Sequence, residues 1–164
     1  MSRCTGWLLH LSGGAAAVVG QRELLHLITQ PQTHEVPCAP AYCRRVLVWE
    51  QGVLPVFDVG VWSDPATAGI EAPVIAIVGF QADGDTAPGF GGLLLTTPAQ
   101  RIDVDDAWAC TLPPELSGWR PIACACFERD GRALPVLDLA RLFALPNVGI
   151  AGASPTPTES NIPA

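Results

Sequence analysis

The chain has 164 residues, close to half of them apolar, and a formal charge of −7. All nine of its cationic residues are arginine and only Arg44 and Arg45 are adjacent, so there is no basic footprint for displacing counterions from nucleic acid or for holding an anionic bilayer. No apolar run approaches the roughly 20 residues needed to cross a membrane, and a soluble, cytoplasmic protein without nucleic-acid partner or membrane insertion is expected.

Sixteen Gly and sixteen Pro punctuate short apolar runs, a pattern of many turns and short strands. Residues 6–11 (GWLLHL) read as a strand, SGG as a turn and residues 15–19 as the returning strand. His10 interrupts the apolar run and one Arg precedes it, which argues against a secretory leader. Residues 20–28 (GQRELLHLI) place Leu24, Leu25, Leu27 and Ile28 behind a polar start. They predict one or two helical turns, or a helical turn running into a strand. Residues 29–42, with three prolines, read as a connection. Residues 45–49, the turn EQG and residues 53–59 predict a β-hairpin. Pro55 has no N–H for a ladder and belongs on an edge or at a bulge. Residues 63–73 are a polar loop. Residues 73–80 are a buried strand, 81–90 a hairpin loop and 91–97 the return. Residues 100–107 predict a strand turning into an acidic loop, and 111–121 are irregular. Residues 122–128, the turn RDG and residues 131–139 form a second hairpin. A short helix follows over 139–145, with Asp138 placed to cap it. The domain ends near residue 146, and the Pro-, Ser- and Thr-rich residues 147–164 read as a flexible tail.

One phrase occurs twice. Leu54-Pro55-Val56-Phe57-Asp58 returns as Leu134-Pro135-Val136-Leu137-Asp138. Each copy is the return strand of a hairpin ending in an Asp that caps the next turn or helix, so the chain holds two similar β-units. No helix of useful length separates the strands, which excludes long parallel crossovers. Small closed or nearly closed barrels accommodate such strands.

Six cysteines are present, none in a C-x-x-C pair. Cys124 and Cys126 alternate with alanine and should share one strand face as small buried hydrophobes. His10, His26 and His34 are not spaced to complete a zinc site, so no metal is expected. There is no G-x-S-x-G elbow, H-E-x-x-H pair or phosphate-binding G-x-x-x-x-G-K-[ST] loop. The absence of Lys rules out lysine-based covalent catalysis. The cluster Asp103, Asp105 and Asp106 reads as a solvated turn. A non-enzyme without cofactor is expected, its function residing in surfaces. A small β-barrel enzyme with an unrecognised site is the competing reading.

The stretch APAYCRRVLVWEQGVLPVFDV (39–59) resembles the chemotaxis adaptor family CheW, through Pro40, Tyr42, Val46, Val53, Leu54, Pro55, Val56 and Asp58. Residues 6–28 are similar to that family's opening strand pair and short helix, and residues 130–143 to its closing hairpin and helix. The resemblance covers about residues 5–146. It implies a mostly β fold of two small five-stranded barrels of the Src-homology-3 type, packed together with short helices. It also implies a scaffold that couples methyl-accepting chemoreceptor tips to the regulatory domain of a CheA-like histidine kinase. The helix positions that face the receptor in that family fall on Leu24 and Leu27, and a neighbouring acidic position falls on His26. The kinase side and nearby turn fall on Arg45, Val48, Glu50 and Gln51. Glu50 stands where the family has Arg, and Arg45 where it has a strand-opening Gly. The alternative is a diverged module, in twitching motility or another pathway, that has left the standard receptor–kinase array.

Overall fold

The structure, a computed structural model, describes residues 2–70, 73–81, 84 and 87–145. The tail expected over 147–164 lies outside the described residues. In chain order the elements are β1 (Arg3–His10), β2 (Ala16–Gly20), β3 (Leu24–Ile28), β4 (Thr33–Glu35), β5 (Arg45–Trp49), β6 (Gly52–Phe57) and α1 (Val59–Ser63). They continue with β7 (Val74–Phe80), β8 (Gly89–Leu95), β9 (Gln100–Asp105), β10 (Ala123–Arg129), β11 (Arg132–Leu137) and α2 (Leu139–Phe143). Two curled sheets result. One has the strand order β10-β11-β2-β1-β9, the other β3-β7-β8-β6-β5-β4.

The expected mostly β fold of two barrel-like units is what these sheets form. Apolar residues on both faces of the central strands explain why. In β7, Ile75 and Ile77 fill the interior of the six-stranded barrel, while Val74, Ala76 and Val78 join a core shared with the other sheet. In β8, Leu94 points into that barrel and Leu93 and Leu95 into the shared core. In β2, Ala16 and Val18 fill the five-stranded barrel and Ala17 and Val19 face the partner sheet. A strand buried on both faces must read as an unbroken apolar run, and AAVV and VIAIV do.

The repeated phrase has the same place in each unit. β6 pairs in parallel with β8 at Val56 and Phe57, and β11 pairs in parallel with β2 at Val136. Both prolines lie just before this parallel contact, on a stretch paired on one side alone, Pro55 with Val46 and Pro135 with Cys126. Pro55 is therefore tolerated within an interior strand rather than on the expected edge. Asp58 and Asp138 then accept from the backbone N–H of Val61 and Arg141, each at 3.1 Å, capping α1 and α2.

The two copies differ in their surroundings. Asp58 is buried and accepts a hydrogen bond from the Ser12 hydroxyl, at the β1–β2 turn of the other barrel. Gly60 passes so close to Ser12 that a Cβ there would collide with its carbonyl and hydroxyl oxygens. Asp138 instead pairs with Arg141 Nε at 3.0 Å near the surface. A second tie between units is aromatic. Phe143 of α2 stacks on Phe80 at 5.2 Å and meets Phe57 edge-on at 6.3 Å.

Several expectations are corrected. Of the two readings of residues 20–28, it is the turn running into a strand that the structure resembles: a turn at 21–23 leads directly into β3, and residues 24–28 contain no helix. The stretch 29–42 includes the short β4, which pairs with β5 and gives its sheet a sixth strand. Cys124 and Cys126 do not share a buried face. A register shift between Ala123 and Ala125 breaks the alternation, leaving Cys124 exposed and Cys126 buried.

Candidate protein-interaction surface

The β5–β6 hairpin carries an unusual outer face. Leu47, Leu54 and Val56 point into the barrel. By alternation the opposite side holds Val46, Val48, Val53 and Pro55, and cross-strand register pairs Val46 with Pro55 and Val48 with Val53. Val48 is 59% and Val53 51% exposed, so two facing pairs of apolar residues meet solvent on one short ribbon. Single exposed apolar residues are ordinary, whereas a contiguous set is the mark of an interaction site.

A second apolar group lies on the same sheet. Gly79 of β7 leaves a gap that Leu25 and Phe90 flank. A Cβ at Gly79 would lie 3.0 Å from Leu25 Cδ1 and 3.4 Å from Phe90 Cε1. Leu25 is 46% and Phe90 38% exposed. Phe90 in turn touches the Trp49 ring at 5.9 Å, connecting this group to the hairpin tip.

The residues singled out in the sequence divide between these places. Leu24 and Leu27 are half-buried against the core shared by the sheets. They lie three positions apart, a spacing that suits a helix, yet they share a side because the β3–β7 register shifts between Leu24 and His26. His26 is exposed and, paired with Ile77, lies on the opposite side of β3 with Ile28, so the three receptor-groove candidates do not form one face. Val48, Glu50 and Gln51 gather at the hairpin tip, where Trp49 pairs with Gly52 and Glu50 takes the left-handed φ of 53°. Arg45 begins the same strand, roughly 16 Å away along the rise of an extended chain. It pairs with Glu35 in register, reaches the Thr33 hydroxyl at 3.5 Å and lines a cavity of about 250 Å³ with Tyr42, Asp58 and Thr67. The structure therefore brings together three of the four kinase-side candidates.

Sequence reasoning missed Leu25, Val53, Trp49 and Phe90. Val53 was visible in the strand alternation; Leu25 and Phe90 meet only because Gly79 separates them in space. Charge near β3 comes from Glu23, whose carboxylate accepts from the Gly20 N–H at 2.7 Å. Burial raises its pKa above the ordinary 4.5; the Gly20 bond opposes this and the nearby Asp138 charge adds to it.

The two curled sheets with a core between them define the CheW-like fold. Among solved structures the chain is similar to the scaffolding protein TtCheW from Thermoanaerobacter tengcongensis, with a TM-score of 0.71 over 89% of this chain and 96% of that one. Identity is 13%, so the likeness is one of fold. No protein-family model matches the sequence, and no curated protein matches it. Among the described residues no helix is long and apolar enough to cross a membrane.

Proposed function

We propose that the protein is a non-catalytic cytoplasmic scaffold of chemotaxis-type signal transduction, joining a chemoreceptor tip to the regulatory domain of a CheA-like histidine kinase. The observation that carries this reading is the outward apolar ribbon of Val46, Val48, Val53 and Pro55 on a fold similar to that of a scaffolding protein. Apolar side chains at the centre of an interface with a polar rim supply much of the energy of association. Val48 and Val53 form that centre on the kinase side, with Glu50 and Gln51 at its tip and Arg45 at its far end. Leu25 and His26 contact the receptor, held in place by Leu24 and Leu27 behind them.

Calorimetry with the kinase regulatory domain from the same organism tests this assignment. Val48→Asp leaves the fold intact and weakens binding at least tenfold; unchanged affinity removes the hairpin from the interface.

The second reading, a module rewired to another pathway such as twitching motility, draws on Glu50. An acidic residue stands at an exposed tip where the resembled family has Arg, and a reversed charge selects a partner with the complementary change. Glu50→Arg then weakens binding to the native partner. If it instead strengthens binding, the acidic tip is not a recognition element.

A further inference from the structure

Three of the six cysteines come together outside the proposed surface. Cys110, Cys124 and Cys126 line a cleft of about 210 Å³ together with Leu112 and Arg120. Within it, Cys110 Sγ lies 3.4 Å from Cys126 Sγ. Their backbones are also joined. The Cys110 N–H donates to the Cys126 carbonyl at 3.0 Å, and the flanking Ala109 and Phe127 form an antiparallel bridge. Directly opposed residues sharing such bonds have Cα atoms about 5.5 Å apart, the separation that disulfides favour. The sulfurs need only small side-chain rotations to close to about 2.05 Å.

We propose that Cys110 and Cys126 are the site of a reversible intramolecular disulfide, formed with a hydroperoxide as oxidant. Cys110 is the half-exposed member and the point of entry. Its sulfur attacks one peroxide oxygen and breaks the O–O bond, giving a sulfenic acid and one molecule of water or alcohol. The Cys126 sulfur then displaces the sulfenic oxygen. The S–S bond forms, the sulfenic oxygen leaves as water with the Cys126 proton, and two electrons have passed from the sulfurs to the peroxide. Burial, reinforced by the contact with Cys110, pushes the Cys126 thiol up to about 12, so Cys126 rests as the thiol and gives up its proton as the S–S bond forms. Cys124 is not the partner: it sits at the register shift, exposed, and its thiol donates to the Val136 carbonyl at 3.5 Å.

The bond has a structural consequence. β9 and β10 are the two ends of the five-stranded sheet, and the chain following β9 reaches β10 through the Ala109–Phe127 bridge. A disulfide between positions 16 apart in sequence fastens that seam and restricts the unfolded chain.

The test treats the full chain with hydrogen peroxide, blocks free thiols with iodoacetamide under denaturing conditions, and cleaves after Glu115 to separate Cys110 from Cys126. Expected are a linked pair of fragments, a Tm higher by roughly 6–12 °C, and reversal of both by dithiothreitol. Cys110→Ser abolishes the link and the shift, and Cys124→Ser retains them. Six blocked thiols, a terminal sulfur oxide without a link, a link that survives Cys110→Ser, or a link between chains each overturns the proposal. Because Cys110 is only half-buried, its Ser variant decides the matter even if Cys126→Ser does not fold.

Discussion

Replacing Asp58 and Asp138 by alanine asks whether two copies of one phrase have different energetic roles. Each change removes an N-cap, at a cost of about 1 kcal/mol. For Asp138→Ala the other loss is a half-exposed ion pair with Arg141, worth under about 1 kcal/mol. The total is about 1–2 kcal/mol. For Asp58→Ala the other loss is the acceptor of the Ser12 hydroxyl, and Ser12 is 1% exposed. A buried hydroxyl left unpaired adds about 1–3 kcal/mol, for a total of about 2–4 kcal/mol. With each kcal/mol lowering Tm by about 2–4 °C in a chain of this size, Asp58→Ala lowers it by roughly 5–15 °C. Urea titration of both variants, followed by Trp fluorescence, gives the comparison. A double-mutant cycle adds a sharper check, because Ser12→Ala removes the stranded hydroxyl and should recover part of the Asp58→Ala loss. Equal costs for the two aspartates, or strict additivity of Ser12→Ala and Asp58→Ala, would refute the claim that this buried contact ties the barrels together.

Other outcomes follow from single sites. Glu50 holds a left-handed φ that a β-carbon disfavours, so Glu50→Asn raises stability by about 0.5–1 kcal/mol in chemical denaturation. Glu23 has a folded pKa above its ordinary 4.5, so the folded state binds the extra proton and stability falls as pH rises from 4.5 through the folded pKa. Glu23→Gln still accepts from the Gly20 N–H; it should be at least as stable as the native chain at pH 7, and the stability difference between the two should vary with pH only across that window. Leu24→Arg, placed against the shared core, costs more than about 2 kcal/mol, while Leu25→Arg at a half-exposed position stays within about 1 kcal/mol. Thermal melts of the pair read the difference directly.

The hairpins were legible because their signals are local. Alternating or unbroken apolar runs bounded by EQG and RDG fix β5–β6 and β10–β11, and the Asp that ends each phrase caps a helix as its position demanded. Where local reasoning failed, long-range register decided the outcome. Leu24 and Leu27 carry helical spacing, but the shift against β7 lets a strand place both inward. Cys124 alternates with Cys126 in sequence, but the shift against β11 turns it to solvent. Neither irregularity has a residue signature of its own; each is imposed by the partner strand. The candidate surface divides the same way. Val48, Glu50 and Gln51 were singled out from the part of the resemblance that falls on one hairpin. The Leu25–Phe90 group joins β3 to β8 across Gly79, and no stretch of the chain contains it. The sixth strand was hidden because Thr33–Glu35 is too short and polar to read as a strand until β5 lies beside it.

The central claim, that this fold serves as a bridge between receptor and kinase, is tested most directly by reconstitution. Receptor, CheA-like kinase and this protein from one organism would be purified and kinase autophosphorylation measured with each component omitted in turn. The account predicts receptor-dependent stimulation only when all three are present, and its loss with Val48→Asp. Kinase activity that ignores the folded protein, with or without receptor, would contradict it.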